Sequence, residues 1–154
     1  MIYKHTSTST FDTTLMRGVD QIVDKLLKPV EDEQQLLSNM GLFAYISQCK
    51  SAFISVPRRS GKSTYIEKLS NHFKFPLIIA DRTSHFTGHF CRGHTIVSSL
   101  KTLRSRPTFR GRSIYYPAIL ADEMPPAVIK EIVSELIYYG AVDKNTIVLG
   151  LSTS

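Results

Sequence analysis

Val56-Pro57-Arg58-Arg59-Ser60-Gly61-Lys62-Ser63-Thr64 is the stretch on which the reading of this chain turns. It lies between a short, nearly continuous apolar run at 52–56, the pattern of a strand buried on both faces, and a helical pattern over 62–72. A phosphate-binding loop of the form G-x-x-x-x-G-K-[ST] takes that same place between a strand and a helix. Gly61, Lys62 and Ser63 fit the form, whereas Val56 stands where its first glycine belongs. The physics survives that departure, because such a loop works by turning backbone N–H groups onto phosphates at a helix N-terminus. Gly61 allows close backbone approach, Lys62 can reach the outer phosphates, and the Ser63 hydroxyl can ligate Mg²⁺. Arg59, Ser60 and Thr64 complete the phosphate-facing candidates. A plain basic turn leading into a surface helix would use the same residues.

A second element favours the phosphate reading. Residues 116–123 form an apolar run that ends in Asp122-Glu123, the form of a Walker B strand. There Asp122 is a candidate for the Mg²⁺ shell, and Glu123 is placed to orient or deprotonate an attacking water. Adjacent acids would also cap the helix that follows. A Walker B strand with an extra glutamate suits nucleoside triphosphatases that insert a further strand between the two motif strands. The run at 146–151 is the candidate for that strand, with Ser152 and Thr153 as its polar tip. Those hydroxyls would equally suit a frayed terminus.

The rest of the chain supplies the scaffold. Leu15, Met16, Val19, Ile22, Val23, Leu26 and Leu27 recur at helical spacing, Asp12 or Thr13 can cap that helix, and Pro29 helps to stop it. A second helix is predicted over 33–48, with Gly41 interrupting it. Further expectations are strands at 77–80 and 115–121, a helix over 95–104, and a helix opened by Pro125-Pro126 and closed by Gly140. Strands alternating with helices imply an α/β fold of P-loop NTPase (ASCE) type, with a mostly parallel sheet flanked by helices. Residues 1–14 read as a flexible tail and 15–154 as one domain with N-terminal helices.

Composition bounds the function. A chain of 154 residues, 42% hydrophobic and 21% charged, can bury a core of its own. Two cysteines are too few for a disulfide framework, no apolar run approaches ~20 residues, and the polar N-terminus lacks a signal-peptide core. The expectation is therefore an intracellular protein without a membrane role. Its net charge of +6 leans toward polyanions. No acid occurs between Asp81 and Asp122, while Arg92, Lys101, Arg104, Arg106, Arg110 and Arg112 do, with Arg82, Phe109, Tyr115 and Tyr116 among or beside them. Such a segment suits a DNA backbone, an arginine finger for a neighbouring subunit, or a solvated loop. His85, His89, Cys91 and His94 could ligand zinc, but their spacing matches no common finger, and a polar loop is the simpler reading.

Taken together, Val56-Pro-Arg-Arg-Ser-Gly-Lys-Ser63, the Asp122-Glu123 strand end and the hydroxyls at 152–153 resemble the large terminase subunits. These are the DNA-packaging ATPases of tailed phages and herpesviruses, and the likeness covers roughly residues 30–154. The resemblance implies Mg²⁺-dependent ATP hydrolysis coupled to movement on double-stranded DNA, in a ring of like subunits or with other packaging subunits. If the chain is viral, its place would be the host cytoplasm or nucleus. The resemblance also implies that Arg58 senses the terminal phosphate, that Ser152 and Thr153 couple hydrolysis to movement, and that an upstream glutamine reads adenine. Gln48 is the nearer candidate for that glutamine, with Gln34 or Gln35 farther off. The family's nuclease domain and later core elements have no counterpart in this sequence, so a minimal or truncated core without nuclease activity is expected. Other readings of the same residues are a helicase-like DNA-dependent ATPase, a nucleotide kinase using Asp81-Arg82, and a nucleotide-binding interaction module with little hydrolysis.

Overall fold

The structure, a computed structural model, describes residues 13–73, 76–81, 94–104 and 115–153. In chain order the elements are α1 (Thr13–Leu27), α2 (Glu33–Cys49), β1 (Ser51–Val56), α3 (Lys62–His72), β2 (Ile78–Asp81), β3 (Thr95–Val97), α4 (Leu100–Arg104), β4 (Ala118–Asp122), α5 (Pro126–Tyr138) and β5 (Ile147–Thr153). All five strands are parallel, in the order β1-β5-β4-β2-β3. The last strand of the chain thus lies between β1 and β4, the position expected of residues 146–151.

Alternation along the strands builds a core on each face. Ile78, Ala80, Ile119, Ala121 and Val148 point to one side, where Tyr45 and Ile46 of α2, Leu103 of α4 and Ile129, Ile132, Val133 and Leu136 of α5 cover them. Ile79, Leu120, Ile147, Leu149 and Leu151 point to the other, against Met16, Val19, Val23 and Leu26 of α1 and Tyr65, Ile66 and Leu69 of α3. Helices on both faces are what a parallel sheet requires, since neither face is solvated.

Two buried polar contacts tie α1 to this frame. The Tyr65 hydroxyl donates to Asp20 at 2.7 Å. Lys50, only 2% exposed, donates its ammonium to the carbonyls of Leu26 at 2.9 Å and Lys28 at 3.0 Å. A buried charge is tolerable because it closes helix carbonyls that otherwise lack donors.

Gly41 (φ 82°, ψ 167°) breaks α2 into two helical pieces, as its interruption of the pattern implies. Other expectations change. Residues 95–104 are not one helix: the β-branched Thr95-Ile96-Val97 joins the sheet as β3, and only Leu100–Arg104 is helical. The run at 52–56 is not buried on both faces, because β1 is the outermost strand; Phe53 and Ser55 are exposed. Residues 1–12 of the expected tail lie outside the described residues.

His85, His89 and Cys91 of the zinc candidates also lie outside them, and His94 has a structural task. Its Nδ1 accepts the Leu77 N–H at 2.9 Å, which holds the start of β2. Among the described residues no cluster of three or more His, Cys, Asp or Glu side chains is arranged for a metal. Burial lowers the His94 pKa below its ordinary 6.5, with a hydrogen bond to the Ser70 backbone opposing it. The unfolded chain therefore binds this proton more readily than the folded one, and stability falls as pH drops below about 6.5. The urea midpoint should be lower at pH 5.5 than at 7.5, and His94→Gln should flatten that slope. An unchanged slope would assign the pH dependence to other groups.

Candidate functional site

The site lies at the C-terminal ends of β1, β5 and β4, where open parallel sheets gather their loops. β1 delivers the loop 57–61, and α3 begins at Lys62. Arg59 (φ 60°) and Gly61 (φ 89°) both take left-handed backbone, the kind of turn that collects N–H groups into an anion-binding concavity. At Gly61 that conformation favours glycine, and Met16 of α1 packs behind it: a Cβ there would lie 3.7 Å from the Met16 Cγ. Residues 57–64 and Thr153 line an open cavity of about 230 Å³. Ser60 is 2% exposed, yet its Oγ has no hydrogen-bond partner among the described residues. A buried orphan hydroxyl beside such a cavity is the kind of group that a polar ligand would satisfy.

The acidic strand end closes on this loop from the side. Lys62 Nζ lies 2.5 Å from Asp122 Oδ1 and 2.5 Å from Glu123 Oε1. Glu123 itself has φ 58°, a left-handed conformation costing about 1–3 kcal/mol for a residue with a side chain. Contacts on both sides hold it there. Its N–H donates to the Leu151 carbonyl at 2.9 Å, and its Oε1 accepts from the Thr153 N–H at 2.8 Å and from the Thr153 hydroxyl. Next to Thr153, the Ser152 hydroxyl lies 3.3 Å from that of Ser55 on β1.

Charge follows from this packing. Burial acts to lower the Lys62 pKa, but hydrogen bonds and charges from Asp122 and Glu123 outweigh it and raise the pKa. Burial raises Asp122, Lys62 opposes the rise, and the charges of Asp81 and Glu123 add to it. Burial would also raise Glu123, but Lys62 and Thr153 hold it below the ordinary carboxylate value. The resting site is thus one ammonium shared by two carboxylates. A carboxylate oxygen at Asp122 and the hydroxyl of Ser63 are hard donors of the type that Mg²⁺ takes.

The structure brings Arg58, Arg59, Ser60, Gly61, Lys62, Ser63, Thr64 and Thr153 around one cavity, with Asp122 and Glu123 bonded to Lys62. It does not bring Gln48 there. Gln48 is exposed at the end of α2, ahead of the six-residue β1, which puts it roughly 20 Å from the loop. Gln34 and Gln35 are exposed in the first piece of α2, away from the cavity lining. Of the basic segment, Lys101 is exposed and Arg104 gives Nε and Nη2 to Glu135 at 3.0 and 2.7 Å; Arg82, Arg92, Arg106, Phe109, Arg110 and Arg112 lie outside the described residues. Tyr116 is buried, and the Tyr115 hydroxyl donates to Asp143 at 3.0 Å, so both have structural tasks.

One contact escapes sequence reasoning: Met16 backs the loop from α1, which no local pattern announces. Asp81, weighed above only beside Arg82 for a kinase, ends β2 fully buried and in register with Asp122 on β4. The signal for that placement is an apolar strand ending in an acid, the same form as 118–122.

The residues thus define an α/β protein with a five-stranded parallel sheet between helices, and with a lysine–carboxylate cluster beside a basic loop. The chain matches no protein-family model, and no curated protein or solved structure is similar to it.

Proposed function

We propose that the chain is a P-loop ATPase core of terminase type, hydrolysing ATP with Mg²⁺ to drive or regulate movement on double-stranded DNA. One observation carries the proposal: Lys62, Asp122, Glu123 and Thr153 arrive from separate elements and meet beside the loop 57–61. A sheet in which β5 lies between β1 and β4 is compatible with that fold.

In this reading the backbone of 59–61 and the Ser60 hydroxyl receive phosphate oxygens at the start of α3. Lys62 moves from the carboxylates to the outer phosphates. Ser63 and Asp122 hold Mg²⁺, which when bound screens phosphate charge and polarises the terminal group. Glu123 takes a proton from the attacking water, and Thr153 fixes the carboxylate that does so. Arg58, on the exposed rim, meets the terminal phosphate. Ser152 and Thr153 pass the change on to β1 and β4. The terminase resemblance adds a ring of copies around DNA.

A second reading, a nucleotide-binding module with little hydrolysis, is favoured by the Glu123 Oε1, which already accepts from three donors. Equilibrium binding and turnover of MgATP, with and without double-stranded DNA, test both. Lys62→Ala should weaken nucleotide binding by roughly thirtyfold or more, the loss of about 2 kcal/mol of charge-assisted hydrogen bonding. Turnover stimulated by DNA supports the motor; tight binding without turnover supports the module; parent and Lys62→Ala binding alike would end both.

A further inference from the structure

The geometry points to a latch: in the resting site, Lys62, Asp122, Glu123 and Thr153 lock one another, so that the phosphate-binding lysine is withheld and one oxygen of the base is tied up until a polyphosphate draws Lys62 away. This regulation of the site rests on the nucleotide reading above.

Three observations carry it. First, the lysine is committed elsewhere. Its ammonium is bonded to both carboxylates, and its side chain is 12% exposed against 3% for Asp122. Water is largely excluded from that pair, so the attraction is stronger than at an open surface. Second, the base is engaged. The Glu123 Oε1 accepts from Lys62, the Thr153 N–H and the Thr153 hydroxyl, which commits that oxygen and fixes the carboxylate against the lysine. Third, the local charge is wrong for an anion. One ammonium between two carboxylates leaves a net negative cluster beside the cavity, and buried Asp81 lies beside Asp122 on the next strand.

An arriving polyphosphate therefore has to compete with Asp122 and Glu123 for Lys62. The exposed Arg58 and Arg59 on the rim supply the first attraction. Once Lys62 transfers, Asp122 is left to face a divalent cation and the Glu123 Oε1 loses the ammonium that it faces at rest. Ligand capture and release of the carboxylates become one event. It follows that binding without metal is penalised, because the carboxylates lose the cation bonded to them.

The test uses the full chain, Glu123→Gln and Lys62→Ala, with two readouts that need no turnover. One is the rate at which a small acylating reagent modifies Lys62 in the absence of nucleotide, read by peptide mass against exposed Lys101 and Lys130. The other is the dissociation constant for ADP in EDTA. In the parent, Lys62 should react more slowly than the two reference lysines. Glu123→Gln should speed its modification and tighten metal-free ADP, each by roughly threefold to thirtyfold, the value of one partly buried ion pair. Lys62→Ala should bind metal-free ADP no more tightly than the parent. Should Glu123→Gln fail to fold, Asp122→Asn gives the same comparison from the other carboxylate. Lys62 reacting as fast as Lys101 in the parent overturns the latch. So does a parent that binds ADP while Glu123→Gln changes neither readout, although the nucleotide reading then stands. Slow modification released by Glu123→Gln, with no ADP binding in either protein, leaves the resting ion pair standing but removes the nucleotide reading and, with it, the latch.

Discussion

Replacing Glu123 with glutamine should lower ATP turnover by roughly 10²–10⁴-fold while nucleotide remains bound. The substitution is nearly isosteric, and the amide oxygen can still accept the Thr153 N–H that now lies 2.8 Å from Oε1. What is lost is the ability to take a proton from water. Three nearby changes separate this effect from general damage. Thr153→Ser keeps the backbone donor and a hydroxyl, so turnover should fall only a few fold. Thr153→Val keeps the N–H but removes the hydroxyl that bonds Glu123, and its loss should be intermediate, with kcat falling more than KM rises. Glu123→Asp retains the charge but draws the carboxylate back by one methylene, so it should behave closer to the amide than to the parent. Steady-state rates at saturating MgATP, beside thermal melts for each variant, decide the matter. Turnover of Glu123→Gln within threefold of the parent would remove Glu123 as the base and leave the binding module as the better account.

How far the sequence foretells this site depends on how local each signal is. The loop 56–64 was legible because a glycine, a lysine and a hydroxyl must be contiguous to meet one phosphate group. Asp122-Glu123 was legible for the same reason, and the extra glutamate even implied where the strand 147–153 would insert. The neighbours of a strand are another matter. Nothing within 51–56 says that β1 is outermost, because that depends on which distant segments pair with it; hence the exposed Phe53 was read as buried. The segment 95–104 was misread because three β-branched or apolar residues precede a Ser-Ser pair and a single helical turn, a pattern that fits helix spacing when read as one window. Lys50, which no local pattern singles out, is an internal cap on α1. Gln48 was named from the resemblance as the nearer upstream glutamine, but β1 lies between it and the loop and carries the chain to the other end of the sheet.

The largest stability loss is expected at Gly150, which the sequence shows only as a gap in an apolar strand. It sits in β5 between Phe53 of β1 and Ala121 of β4. A Cβ at this position would lie 2.8 Å from the Phe53 Cδ1 and 3.1 Å from the Ile129 Cδ1. The two neighbours differ in what they can yield. Phe53 is 37% exposed and can swing outward, whereas Ile129, on the sheet-facing side of α5, is fully buried in the core. Gly150→Ala should therefore be partly absorbed by Phe53, at a cost near 1 kcal/mol. Gly150→Val adds two methyls that must press on Ile129, and overpacking of about 2–3 kcal/mol exceeds the gain in strand propensity of up to about 1 kcal/mol. The net loss of about 1–3 kcal/mol should lower melting by roughly 2–12 °C for the valine variant. The functional consequence follows along the same strand: three residues on, Thr153 holds Glu123, so a displaced β5 loosens the base even though Gly150 lies outside the cavity lining. A double-mutant cycle isolates the cause. Phe53→Ala costs some stability alone, but it should recover much of the loss in Gly150→Ala and little of that in Gly150→Val, because the remaining clash is with Ile129. Equal recovery in both would place the strain on the β1 side alone, and no loss for Gly150→Val would show that β5 can shift freely, against the close packing that delivers Thr153 to Glu123.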